Sequence, residues 1–402
     1  MPGTELFGNE EKKEIQDVLE TGILFRYNHD AARKGHWKTK DFESEVKKVT
    51  GAPFAHAVCN GTAAITAALA ASGIGMGDEV IVPPFTFIAT IEAVLFIGAI
   101  PVFAEIDDTL CLSAEGIRKV ATAKTKAVCL VHMCGGMADM DSIMKVIHEK
   151  NLILVEDAGQ SFGSSYKGKY TGLFGKAGSY SFDFFKIATA GEGGVLVTHS
   201  EEIYKKADVY TDHGHNHEGS FRGMEKHPYI GFNFRISELH AAIGLAQTRR
   251  VPAILKENRR KKVFMRNLLS SSPEISFVRV PDPSGDSATF LNLLLPTPKM
   301  AEEVVAEMKA SGVAGFDYWF KNMYHFINQW DHITGLRSIS KMVAHSAALP
   351  QDYAKLDLKI SQDVIGRLIS FTIRNNWSDD DMKQLCEGIA KSVKKVNANA
   401  IA

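Results

Sequence analysis

Short apolar runs alternate with longer mixed runs from about residue 55 to 200. The apolar runs at 55–59, 79–82, 100–105, 127–132, 152–156, 179–182 and 194–198 are too short for helices, and most are rich in Val, Ile and Ala, so they predict strands. Between them, 62–73, 88–98, 113–121 and 140–150 carry apolar residues at helical spacing. Such alternation predicts a mostly parallel sheet covered by helices on both faces, an α/β fold. Ahead of this block, 9–21 and 42–49 predict amphipathic helices that stop at Gly22 and Gly51. Beyond it, a long helical pattern spans 237–271, bent or broken at Pro252. A loop around Pro281-Asp282-Pro283-Ser284-Gly285 leads to a strand at 289–295 and helices at 300–311 and 379–396. The expected division is a large domain of 1–250, N-terminal segment included, and a smaller α+β domain of 251–402.

Composition narrows the field of functions. With 45% hydrophobic and 23% charged residues, the 402-residue chain can bury a sizeable core. A formal charge of −1 gives no reason to expect a nucleic-acid or membrane partner, and the basic run 256–262 reads as one solvated helix face. The five cysteines are scattered, with no C-x-x-C pair, so neither a disulfide framework nor a zinc site is indicated. Without a signal peptide or a membrane-length apolar run, a cytoplasmic setting is expected.

The chemistry concentrates between Val155 and Gly194. Asp157 ends an apolar strand, Gln160 follows three residues later, and Ser181-Phe182 close a second strand. Lys186 stands between Phe184-Phe185 and Ile187, just ahead of Gly191-Glu192-Gly193-Gly194. A buried acid is costly unless a cation faces it, and a lysine among apolar neighbours loses charge and gains nucleophilicity. Upstream, Cys59-Asn60-Gly61-Thr62-Ala63-Ala64 closes one strand and opens a helix, whose free N–H groups suit a phosphate. These are the groups that pyridoxal 5'-phosphate (PLP) asks of a protein. In this reading Lys186 bonds the aldehyde and shuttles a proton, and Asp157 pairs with the pyridine nitrogen. Gln160 reaches the ring hydroxyl, Gly61, Thr62, Ala63 and Ser181 hold the phosphate, and Phe87 stacks on the ring. Each has a plainer alternative: Thr62 as a helix cap, Phe87 as core packing, Asp157 in a capping box, Lys186 on the surface.

Other patterns point elsewhere or nowhere. Gly172-x-x-Gly175-x-x-Gly178 neither follows a strand directly nor opens a helix, so it is not a dinucleotide fingerprint. Asp212-His213-Gly214-His215-Asn216-His217 alternates histidines, but no carboxylate or cysteine set completes a metal site, and no metal is expected. The aromatic cluster Phe316-Asp317-Tyr318-Trp319 with Tyr324-His325 suits either core packing or the wall of a sugar pocket.

The ordered set Asn60-Gly61-Thr62-Ala63-Ala64, Gly77-Asp78-Glu79-Val80-Ile81-Val82-Pro83, Glu156-Asp157-Ala158, Ser181-Phe182, Lys186 with its glycine turn, and Gly231-Phe232-Asn233-Phe234-Arg235 resembles the DegT/DnrJ/StrS sugar aminotransferases. The likeness is close over about 5–260 and looser beyond. It implies a fold-type I PLP enzyme that exchanges glutamate for 2-oxoglutarate. It also implies a homodimer with shared sites, in which Asn233 reaches the neighbour's phosphate. Lys186, where one branch of the family carries histidine, implies transamination rather than dehydration. Phe25-Arg26-Tyr27-Asn28, Val131-His132-Met133-Cys134-Gly135 and Asp212-His213-Gly214-His215 are similar to the branch that aminates C8 of an oxidised octulosonate for lipopolysaccharide. The expected acceptor is thus 8-oxo-3-deoxy-octulosonate, with a nucleotide-linked 4-keto or 3-keto deoxysugar as the alternative. A non-enzymatic, PLP-binding regulatory protein is the alternative of another class. For the acceptor's carboxylate the candidate anchors are Arg26, which reads equally as a salt-bridge residue, and then His325.

Overall fold

The computed structural model describes residues 2–219 and 221–401. Its central sheet is built from β1 (Phe54–Val58), β2 (Glu79–Val82), β3 (Ile100–Phe103), β4 (Thr125–Val131) and β5 (Ile153–Asp157). A short hairpin, β6 (Ser165–Tyr166) and β7 (Lys169–Tyr170), precedes β8 (Ala177–Ser181) and β9 (Gly194–Thr198), which complete it. The order is β1-β9-β8-β5-β4-β2-β3. Strand β9 runs antiparallel to both its neighbours, and every other pairing is parallel.

Alternation along the strands explains the layering. Val80, Val82, Cys129, Val131 and Val155 face the helices Gly61–Ala71 and Ala89–Phe96 in one apolar cluster. Ile81, Val128, Leu130 and Leu154 face the helices Ala114–Val120 and Met140–Glu149 in another. Strands β2, β3 and β9 are buried throughout, as strands covered on both faces must be. A second sheet, β10 (Ser276–Phe277), β11 (Phe290–Leu294), β12 (Phe316–Asp317) and β13 (Leu368–Thr372), has the order β10-β11-β13-β12 and is antiparallel throughout. The helices Pro298–Ala310 and Asp379–Ile401 pack beside it.

The helix Glu238–Leu269 is continuous through Pro252, and the division expected after residue 250 lies within it. Its first half packs on the helix Lys38–Thr50 and its second half reaches the core of the antiparallel sheet. The basic run 256–262 is a solvated face only in part, because Lys256 and Arg260 are exposed but Lys261 and Lys262 are buried. Lys261 donates to the carbonyls of Arg374 and Asn375 at 2.8 and 2.6 Å, and Lys262 pairs with Asp286.

Candidate active site

A cavity of about 770 Å³ opens at the carboxyl ends of the parallel strands. Strand ends converge there because each strand hands over to a loop on the same side of the sheet. Asn60-Gly61-Thr62 after β1, Thr86-Phe87 after β2, Asp157 at the end of β5 and Ser181 at the end of β8 all line it. Gly159, Gln160 and Lys186 join them, and Phe290, Asp317, Trp319, Asn322, Tyr324 and His325 close the far wall.

The phosphate end is shaped by close approach. A side chain at Gly61 would meet Ser181 Cβ at 2.9 Å and Oγ at 3.0 Å, so only glycine lets the helix start beneath the strand end. Asn60 caps that helix by accepting the Ala63 amide at 2.8 Å. The Ala63 amide is therefore already engaged, and the free donors at this helix N-terminus belong to Gly61 and Thr62.

Asp157 is buried, and its two oxygens accept from the Gly159 amide (3.0 Å) and Thr90 Oγ1 (2.7 Å). Thr86 Oγ1 lies 2.8 Å from Thr90 Oγ1 and extends the chain. No lysine, arginine or histidine pairs with Asp157 among the described residues. Neutral donors compensate a buried carboxylate only in part, so the site calls for a cation from elsewhere. A protonated pyridine nitrogen is such a cation, and the Gly61 cradle admits a phosphate; the residues present fit PLP.

Lys186 is half-buried on the same cavity. Burial lowers its ammonium pKa from the usual lysine range, and the charges of Asp183 and Asp157 offset this only in part. The aromatic flank expected from the sequence does not enclose it, since Phe184 and Phe185 are exposed and pack edge-on against each other at 5.2 Å. Gln160 accepts the Cys134 amide at 3.1 Å through Oε1. Phe87 lies 5.5 Å from His325 and 6.3 Å from Tyr324, ring centre to ring centre. His325 shares a 2.9 Å hydrogen bond between Nδ1 and Asn322 Oδ1, while burial and then the charge of Lys186 push its pKa down to about 3. It lines the cavity, and both causes favour its neutral form.

Two candidates lie outside the cavity. Arg26 is 6% exposed, donates to Glu43 Oε1 at 2.8 Å and to the Ala57 carbonyl, and covers the Tyr27 ring. Its guanidinium is occupied inside the fold, which corrects its reading as a substrate anchor. Asn233 is exposed on the loop after the helix Glu201–Thr211, bridged through its backbone to Asp212. The histidine-rich stretch is an ion-pair network, in which Asp212 accepts from Arg222, Arg235 and His217, and His217 also meets Asp208 at 2.7 Å. Burial works against the His217 charge, but its bonds to Asp208 and Asp212 outweigh this and lift its pKa to about 9. The glycine triplet is structural too. Gly172 and Gly175 amides donate to the buried Glu156 at 2.8 and 2.6 Å, and a side chain at Gly175 would collide with the Leu154 carbonyl.

Sequence reasoning missed Thr86, Thr90 and Asn322, which orient Asp157 and His325. The available signal was Thr86-x-x-x-Thr90, two hydroxyls one turn apart in an otherwise apolar stretch.

A GDP-perosamine synthase of Escherichia coli O157:H7 is 37% identical over 262 residues, 65% of this chain and 69% of its own. A spore coat polysaccharide biosynthesis protein of Bacillus subtilis is 31% identical over 398 residues, covering 97% of this chain and 96% of its own. The crystal structure of an aminotransferase from Psychrobacter cryohalolentis superposes with a TM-score of 0.81 at 27% identity, covering 97% of this chain and 98% of that one. The fold is that of the fold-type I PLP-dependent enzymes, and PLP is the cofactor. With a match to the family's model across residues 7–390, the chain belongs to the DegT/DnrJ/EryC1/StrS aminotransferase family.

Proposed function

We propose that this protein transfers the amino group of glutamate to a keto sugar carried on a nucleotide. The observation that carries the reading is one cavity holding both Lys186, its charge disfavoured by burial, and Asp157, a buried carboxylate without a side-chain cation among the described residues. The resemblance to GDP-perosamine synthases supports a nucleotide-linked acceptor over the octulosonate expected from the sequence. Arg26, a candidate anchor for the octulosonate carboxylate, is engaged with Glu43 instead.

When bound, PLP supplies an aldehyde that exchanges amino groups and a ring that draws electrons from the bond being broken. Lys186 Nζ takes the proton from Cα of glutamate and, in the second half-reaction, gives one to the sugar carbon that receives nitrogen. Asp157, fixed by Thr90 and the Gly159 amide, holds the proton on the ring nitrogen. Gly61, Thr62 and Ser181 would hold the phosphate, Gln160 would meet the ring hydroxyl and Phe87 would pack on the ring.

The same reading makes the protein a homodimer in which Asn233 reaches the partner's phosphate. Support comes from the exposure of Asn233 and of Phe221, Met224, Tyr229 and Ile230 (89%) on the same loop, an apolar surface that suits a second copy of the chain.

The acceptor is tested with enzyme converted to its pyridoxamine form and offered GDP-4-keto-6-deoxymannose or 8-oxo-3-deoxy-octulosonate in separate cells. Return of the near-visible absorption band at least ~10-fold faster with the nucleotide sugar, about 1.4 kcal/mol in the barrier, is expected. Preference for the octulosonate would overturn the nucleotide acceptor and leave the aminotransferase standing.

A further inference from the structure

The segment 317–325 joins the two sheets and forms one wall of the cavity. At one end Asp317 pairs with Ser370 across β12 and β13. At the other, Thr86 and Ile88 donate to the carbonyls of His325 and Tyr324 at 2.9 and 3.2 Å, and Ile327 donates to that of Pro84 at 2.9 Å. In between, Trp319 Nε1 donates to Ser370 Oγ at 2.7 Å and Tyr318 Oη to the Gly366 carbonyl at 2.9 Å. The wall is therefore held in place from both sides.

Most of its polar groups already have partners. Asn322 Oδ1 takes the Tyr324 amide and His325 Nδ1, both at 2.9 Å. Asp317 does not. It lines the cavity, it is half-buried, and no hydrogen bond or ion pair engages its carboxylate among the described residues. Burial raises its pKa from the usual carboxylate range, and the positive charge of the N-terminus offsets this only in part. Asp157, by contrast, has its two donors, and Glu192 stands exposed to water.

We propose that Asp317 binds hydroxyl groups of the acceptor sugar and thereby separates acceptor from donor at the one site both must use. The proposal rests on the sugar-aminotransferase reading above. A carboxylate has two acceptor oxygens and no donor, which suits a pair of neighbouring hydroxyls that each donate one charge-assisted hydrogen bond. Trp319 and Tyr324, also on this wall, offer flat apolar faces to the C–H side of a pyranose. Glutamate has no hydroxyl to give, and its carboxylates are repelled from this end of the cavity. Asp317 therefore strengthens binding of one substrate and weakens that of the other, which is how a shared site gains specificity.

The experiment compares the two half-reactions of the holoenzyme in wild type, Asp317→Asn and Asp317→Ala. Glutamate is added to the PLP form, and GDP-4-keto-6-deoxymannose or 8-oxo-3-deoxy-octulosonate to the pyridoxamine form. In Asp317→Asn the KM for the sugar should rise at least ~10-fold while the limiting rate changes little, and the KM for glutamate should stay at the wild-type value or fall. Asp317→Asn keeps the shape of the side chain, so it decides the matter even if Asp317→Ala fails to fold. Equal losses in both half-reactions would assign Asp317 a structural role and overturn the proposal, as would sugar constants equal to wild type. A wild type that reacts with neither sugar would overturn the acceptor reading and this proposal together. A wild type that reacts with one of them, beside an Asp317→Asn variant that matches it, would overturn this proposal alone.

Discussion

Two regions of this molecule are crowded with titratable side chains, and they have opposite characters. Around Asp212 most of the charged groups pair with one another. Arg222, Arg235 and His217 converge on one carboxylate, Tyr27 and His217 meet Asp208, and Arg26 closes on Glu43. Around Lys186 they do not. Asp157 has only neutral donors, Lys186 no side-chain carboxylate in bonding contact, and Asp317 nothing among the described residues. The residue types overlap, so composition cannot tell the regions apart. What distinguishes them is hydrogen-bonding capacity left open toward a cavity, which costs stability in the bare chain and is recovered when ligands enter.

Removing the central group of each region should therefore have opposite consequences. Lys186→Ala should lose at least ~10³-fold in turnover, since the amine and the proton carrier vanish together, with little loss of folding stability. Steady-state assays beside thermal melts check both halves, and a variant retaining a tenth of the activity would mean that another group moves the proton. Arg26→Ala should instead cost about 3–5 kcal/mol of stability, because Glu43 is left buried without its cation, while both half-reactions of the folded fraction stay near wild type. A variant as stable as wild type but with a raised sugar KM would restore Arg26 as a substrate anchor.

A smaller effect follows from His56, wholly buried with Nε2 2.7 Å from Thr211 Oγ1. Burial, and then the charge of Arg26, push its pKa from 6.5 to about 3. The unfolded chain takes up this proton near pH 6.5 and the folded chain only near 3. Stability should thus be full above about pH 6.5 and decline as pH falls toward 3, by up to about 1.4 kcal/mol per pH unit. His325, shifted the same way, adds a second such slope. Denaturant melts from pH 7 to 4 should show His56→Gln losing part of the decline, and an unchanged slope would mean that His56 does not carry it. Smallest is Thr90→Val, which removes one neutral hydrogen bond to Asp157. It should lower kcat/KM by about 5–10-fold, equal to about 1–1.5 kcal/mol, and leave the melting temperature nearly unchanged.

Much of this was legible before the structure. The short strands between 55 and 198 stand out because each is an apolar run bounded by turn residues, and Asp157, Ser181 and Lys186 sit at recognisable junctions of such runs. What stayed hidden depends on pairing at long range. Nothing local shows that Arg26 meets Glu43, that Lys261 caps carbonyls of Arg374 and Asn375, or that residues 322–327 lie along 84–88 by backbone hydrogen bonds. An arginine closing a buried ion pair and an arginine awaiting a carboxylate look alike in sequence. Likewise, β13 was missed although it is central to the antiparallel sheet, because Leu368-Ile369-Ser370-Phe371-Thr372 follows a helix directly, without a turn signal.

The most direct test of the central claim is a single-turnover reaction of the PLP-loaded protein with L-glutamate. On this account the near-visible absorption band of the bound cofactor gives way to that of the pyridoxamine form, one equivalent of 2-oxoglutarate appears per active site, and Lys186→Ala does neither on the same time scale. A wild-type protein whose spectrum stays unchanged at saturating glutamate, or a Lys186→Ala variant that releases 2-oxoglutarate as fast as wild type, would contradict it.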